Sequence, residues 1–223
     1  MTWQTHPVTP DRFEDFADVV NRTRRERHCW CLSHRLPGKE IDALGDGDRE
    51  QAMRRLCERE HPPGVVTYCD DVPVGWCSIG PRAEITQLTR SRLIRPVDEV
   101  PVWSIICVVV RPGHRRQGVT TRMLTDAVDY AAAQGAPAVE AYPVDPEGRM
   151  DLTMAFVGTR AMFEKVGFEV VGATGTLEVR ANIDVGGEPG GEQRVPARVA
   201  RLQVEVSAQH HRRWLLADQV GEH

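Results

Sequence analysis

The sequence predicts an α/β protein built on a single mixed β-sheet flanked by helices, in the order β-α-α-β-β-β-α-β-α-β-β. Three observations predict it. Residues 102–110 are almost continuously apolar, as a strand buried on both faces requires. Residues 119–134 then take a helical period and residues 138–142 return to strand character. A strand reached through a crossover helix pairs parallel with the one before it. Residues 65–69 and 74–79, joined at Asp70-Asp71, read as an antiparallel hairpin. Pairing in both senses makes the sheet mixed.

Each element has its own signal. Residues 2–8 form a first strand. Thr9-Pro10-Asp11 then opens a helix, with a hydroxyl at the N-cap, proline at N1 and an acid in the first turn. Phe13, Phe16, Val19 and Val20 share one face of it, and the arginines of residues 22–27 give it a basic end that suits its dipole. Cys29-Trp30-Cys31 and Leu36-Pro37-Gly38 fall in a loop, with Trp30 as a plug for the core. Residues 48–60 read as a second, highly charged helix. A long arginine-rich connection over residues 81–101 precedes the apolar strand. Gly135 stops the helix that follows it. A short helix over residues 156–166 ends at Gly167, and residues 168–171 return to strand. Residues 198–206 are expected to pair with that strand across a mobile glycine-rich connection at 185–192. The domain is expected to span residues 1–206, with a tail at 207–223 that holds a short helix anchored by Trp214, Leu215 and Leu216.

Bulk composition excludes several classes. The chain has 223 residues, 41% hydrophobic and 27% charged, enough for one core. A formal net charge of −4 argues against a general nucleic-acid binder. No apolar run approaches the ~20 residues of a membrane span, and the first residues lack the layout of a signal peptide. Six scattered cysteines read as reduced thiols of a cytoplasmic protein.

The chemistry starts at the end of the apolar strand. Arg111-Pro-Gly-His-Arg-Arg-Gln-Gly118 is a short basic turn that runs straight into a helix. The free backbone N–H groups of a helix N-terminus bind anions, phosphates above all. His114 reads as a neighbour of the phosphate, and Cys107 in the strand as core.

These residues resemble the GNAT superfamily of acyl-CoA-dependent N-acyltransferases. Its cofactor pattern is Val-x-Pro-x-x-[Gln/Arg]-x-x-Gly-x-[Gly/Ala]. Val110, Pro112, Arg115 and Gly118 match it, and Thr120 stands where the pattern ends in Gly or Ala. Phe163-Glu-Lys-Val-Gly167-Phe168 resembles a second signature, Tyr-x-x-x-Gly-Phe. Trp76-Cys-Ser-Ile-Gly-Pro-Arg82 and Glu140-Ala-Tyr-Pro-Val-Asp145 resemble a bacterial branch. The resemblance covers about residues 2–206. It implies acetyl-CoA as cosubstrate, with the pantetheine arm along Val108, Val109 and Val110. The phosphates would then meet the amides of Arg115, Arg116, Gln117, Gly118, Val119, Thr120 and Thr121. It also implies an amine acceptor, more naturally a small molecule than a protein, bound by loops at 28–47, 81–101 and 143–155, and a homodimer.

Amide formation needs a neutral amine. An alkyl amine of pKa about 10.4 costs roughly 4–5 kcal/mol to deprotonate at neutral pH, so a general base is useful. The resemblance implies a Glu base eleven residues before Arg115, where this chain has Ser104, and a tyrosine acid where it has Phe163. Ser104 can hold a relay water. Glu140 and Tyr142 lie two apart on one strand and face the same way, which makes Glu140 a candidate base and Tyr142 a candidate acid or anchor. The competing reading pairs Glu140 with an arginine. Two other functions stay open. One is an acyl-CoA-binding sensor without turnover. The other is a redox or metal sensor built on His28, Cys29, Cys31 and His34, although the reading expects no metal. The arginine runs at 22–27 and 90–95 read as solvated faces.

Overall fold

The computed structural model describes residues 1–25, 28–45, 47–92, 94–145, 156–172 and 178–183. Seven strands form one sheet: β1 (Trp3–Pro7), β2 (Gly64–Cys69), β3 (Val72–Pro81), β4 (Trp103–Val110), β5 (Ala138–Ala141), β6 (Glu169–Gly172) and β7 (Glu178–Asn182). They lie in the order β1-β2-β3-β4-β5-β7-β6. Among these seven strands only β4 and β5 pair in parallel, and the helix between them is α5 (Val119–Ala133). The mixed sheet and the crossover stand as expected. The β2–β3 turn places Asp70 at φ 48° and Asp71 at φ 63°. Two successive positive angles make a turn whose twist matches that of a hairpin.

Adjacent residues on the strands feed opposite faces, as the pleat requires. Val65, Cys77 and Val108 pack with Met123, Leu124 and Ala127 of α5. Val66, Trp76 and Cys107 pack on the other face. There they meet α1 (Phe13–Val20) and α3 (Asp48–Cys57). Trp30 is buried in that second layer, stacked on Phe13 at 5.7 Å between ring centroids. Truncating such a side chain costs about 3–5 kcal/mol, so the loop that carries it is tied to the sheet.

Four local expectations need correction. The Thr9 hydroxyl donates to Asp11 Oδ1 (2.5 Å), not taking a backbone N–H as an N-cap, and a 3₁₀ turn at Pro10–Arg12 precedes α1. α1 ends at Val20, so Arg22, Arg24 and Arg25 lie outside the helix. Two short helices interrupt the connections, α2 (Gly38–Asp42) and α4 (Thr86–Arg90), while α6 (Arg160–Glu164) is shorter than its pattern. β6 pairs with β7 (Glu178–Asn182), a strand the sequence reading did not place. Residues 185–192, 198–206 and the tail at 207–223 lie outside the described residues.

Candidate active site

β4 ends where Arg111 N donates to Val74 O (2.9 Å), and the chain turns over residues 111–118. Arg116 at φ 61° and Gly118 at φ 84° bend it into α5. A left-handed angle at Gly118 carries little strain because glycine has no Cβ. Gln117 Nε2 holds Gly113 O at 3.0 Å across the turn. Among the described residues, no hydrogen bond takes up the backbone N–H groups of residues 115–121. Arg115, Arg116, Gln117 and Gly118 are exposed. A run of outward amides at the start of a 15-residue helix fits a pyrophosphate. Thr120, half-buried in the first turn, leaves that run open.

The next feature is a separation of strands. β4 pairs with β5 only over Trp103, Ser104 and Ile105. Past Ala141 the chain turns away, and Val144 bridges to Thr159 instead. From Ile106 onward, β4 therefore has no strand partner on its β5 side among the described residues. Val108, Val109 and Val110 lie on this open stretch, still paired with β3 on the other side. An unpaired edge offers the backbone groups that an amide-bearing pantetheine arm needs.

At the base of the separation, Ser104 and Glu140 are register partners. The Glu140 carboxylate is 0% exposed. Its Oε1 accepts from Ser104 Oγ (2.6 Å), Tyr142 OH (2.5 Å) and Arg82 Nη1 (2.5 Å). Arg82 Nη1 also donates to the Tyr142 hydroxyl. Arg180 Nη2 lies 3.6 Å from Oε2, and Arg180 Nη1 holds Asp98 at 2.6 Å. The three candidate catalytic residues thus converge in one buried cluster. The arginine pairing of Glu140 is also present, twice over.

Arg82, Arg180 and Asp98 are the residues that sequence reasoning did not single out. Arg82 closes the Trp76-to-Arg82 stretch, so a signal for it existed. Arg180 and Asp98 lie far apart in sequence and meet only through the order of the strands. Phe163 is fully buried against Phe168, with ring centroids 5.1 Å apart, and belongs to the core.

A cleft of about 370 Å³ opens beside the cluster, between Arg82, Leu88, Ile94, Pro96 and Val102. Leu88 and Ile94 also pack with Ile106 and Tyr142. One apolar cluster therefore joins the wall of the cleft to the base of the strand separation. The 28–34 segment sits elsewhere. Cys31 Sγ accepts from Trp76 Nε1 (3.2 Å) and lies 3.7 Å from Cys107 Sγ, while His34 Nδ1 meets Gln87 Oε1 at 2.5 Å. Their side chains diverge. Among the described residues no group of three His, Cys, Asp or Glu is arranged to hold a metal ion. No helix among them is long and apolar enough to cross a membrane.

A split parallel pair thus lies over an anion-ready turn, with one sheet between two helical layers. The model of the acetyltransferase (GNAT) family matches residues 24–168, and the chain belongs to that family. Membership makes it an acyl-CoA-dependent N-acyltransferase with acetyl-CoA as cosubstrate. Among solved structures, AAC(6')-Ib in complex with ribostamycin and coenzyme A is similar at 12% identity and a TM-score of 0.53, over 82% of this chain and 94% of that one. This likeness shows the fold. The PaiA N-acetyltransferase of Thermoplasma acidophilum in complex with coenzyme A matches at 10% identity and TM-score 0.46, over 82% of this chain and 100% of its own. A GCN5-related N-acetyltransferase from Kribbella flavida matches at 15% identity and TM-score 0.45, and the 77% of this chain that aligns spans 34% of that protein. A search of curated proteins found no match.

Proposed function

We propose that the chain transfers the acetyl group of acetyl-CoA to a small-molecule amine by direct attack within a ternary complex. One observation carries the reading: Arg82, which lines the cleft at residues 81–102, also bonds Glu140 and Tyr142 of the buried cluster. Acetyl-CoA supplies a thioester whose C–S bond breaks as the C–N bond forms. In this reading the amides of Arg115, Arg116, Gln117, Gly118, Val119, Thr120 and Thr121 hold the phosphates, and Val108, Val109 and Val110 line the arm.

Glu140 has no free face on Oε1, so its role is indirect. The Tyr142 hydroxyl touches the acceptor amine, takes its proton and passes its own to Glu140 Oε1. Ser104 holds the carboxylate in line. A second reading, an acyl-CoA sensor without turnover, draws on the saturation of Oε1 by three donors. The protein in this proposal is a cytoplasmic bacterial homodimer, with a catalytic unit at residues 1–206 and a tail at 207–223.

Two measurements test it. Acetyl-CoA at 100 times its dissociation constant should stabilise the fold by about 2.7 kcal/mol. A panel of amines should then release free thiol from acetyl-CoA. Stabilisation with no thiol release from any amine would refute transfer and leave the sensor.

A further inference from the structure

The cleft has a consistent chemistry. Its walls are hydrocarbon: Leu88, Ile94, Val100, Val102 and flanking prolines. Its polar side chains are Arg82, Thr89, Ser91 and Arg95, and among the described residues no carboxylate lines it. Asp98 and Glu99 belong to the same segment but stand outside the lining, and Asp98 is held by Arg180. The Thr89 hydroxyl donates to Thr86 O, and Ser91 Oγ accepts from Ile94 N. Arg82 serves Glu140, Tyr142 and Ile94 O. Arg95 is exposed and forms no ion pair among the described residues.

We propose, resting on the transfer reading, that the acceptor is an amino carboxylate with a hydrocarbon body, its carboxylate on Arg95 and its amine towards Tyr142. Two physical arguments point this way. A polycationic amine would bring like charge against Arg95, with no carboxylate among the described lining residues to offset it. A cleft of about 370 Å³ sits at the small end of ligand sites, which suits a single amino acid better than a polypeptide.

The test uses leucine and phenylalanine, each beside its amide and its decarboxylated amine. Binding to the coenzyme A-loaded full chain is measured by calorimetry, and thiol release is measured separately. The acids should bind about tenfold tighter than both analogues, as a charge-assisted contact allows. Arg95→Gln should erase that preference, Arg95→Lys should keep part of it, and Arg92→Gln should leave it intact. Equal binding of acid and amide, a preference untouched by Arg95→Gln, or no binding of either acid overturns the proposal. Preferential binding without thiol release leaves the cleft as an amino-carboxylate site and removes transfer. Thiol release from amines with no preference for the acids does the reverse.

Discussion

Glu140→Gln is the most informative perturbation. The substitution keeps the shape, and its amide oxygen can still accept at the Oε1 position. It removes the negative charge that Arg82 and Arg180 face at 2.5 Å and 3.6 Å. It also turns a donor towards Arg180, because Oε2 becomes an amide nitrogen. Breaking one side of a buried ion pair costs about 3–5 kcal/mol, since the partner charge is left uncompensated. Arg180 keeps Asp98 at 2.6 Å, and the Arg82 side chain is 11% exposed, so the low end applies, about 3 kcal/mol. For a chain of this size that is a fall in Tm of roughly 6–12 °C. Denaturant unfolding should show a lower midpoint at unchanged slope. Adding Arg82→Met should recover part of the loss, with a coupling of about 2 kcal/mol. A Glu140→Gln protein within about 1 kcal/mol of wild type would refute the charge argument. Full turnover at saturating acceptor would separately remove Glu140 from the transfer step.

Three further outcomes are expected. Burial pulls the His34 imidazole from 6.5 down to about 4, although its bond to Gln87 pulls the other way. The unfolded chain therefore takes up a proton that the native state refuses, so stability falls as pH drops from 6.5 to about 4, by roughly 3 kcal/mol, and then levels. His34→Gln should flatten that slope in denaturant titrations across the range. Gly118→Ala meets no atom within 4 Å but must hold φ at 84°, so it should cost about 1–2 kcal/mol and weaken coenzyme A binding by calorimetry. Ser104→Glu puts a second carboxylate where Oγ now sits 2.6 Å from Glu140 Oε1, so it should destabilise; adding Glu140→Ser should restore the denaturation midpoint.

The sheet was readable because its signals are local. An apolar run, a helical period and a two-residue turn each carry their element without help from distant residues. Chain ends of elements were less readable: α1 stops at Val20 because Asn21 turns the backbone out of the helix, and its side chain then bonds Arg25 at both N and O. β7 was not readable because residues 178–182 have short, mixed alternation, and their identity depends on pairing with β5 as well as β6. In the site, Glu140, Tyr142 and Ser104 were legible from strand spacing and a counted offset. Arg180 and Asp98 were not, since 82 positions separate them and only the order β4-β5-β7 brings them together.

The strand order also accounts for a carboxylate beside Ser104. The family resemblance implies an acid at that position of β4. Neighbouring strands run about 4.8 Å apart, and Ser104 and Glu140 are register partners, so a side chain from β5 reaches the same space that an acid on β4 would fill. Loss of the acid from one strand therefore does not remove negative charge from the place; the adjacent strand supplies it. The transfer carries a requirement of its own. A carboxylate that is 0% exposed is costly to bury without a paired counter-charge. Arg82 meets that need from β3's end and Arg180 from β7. Arg82 also lines the cleft and bonds the Tyr142 hydroxyl. A change at Arg82 should consequently move two quantities at once, the stability of the buried cluster and the rate with bound acceptor, whereas a change at Arg180 should move stability more than rate. That asymmetry is what separates a proton path through Tyr142 from a brace that merely holds β4, β5 and β7 together.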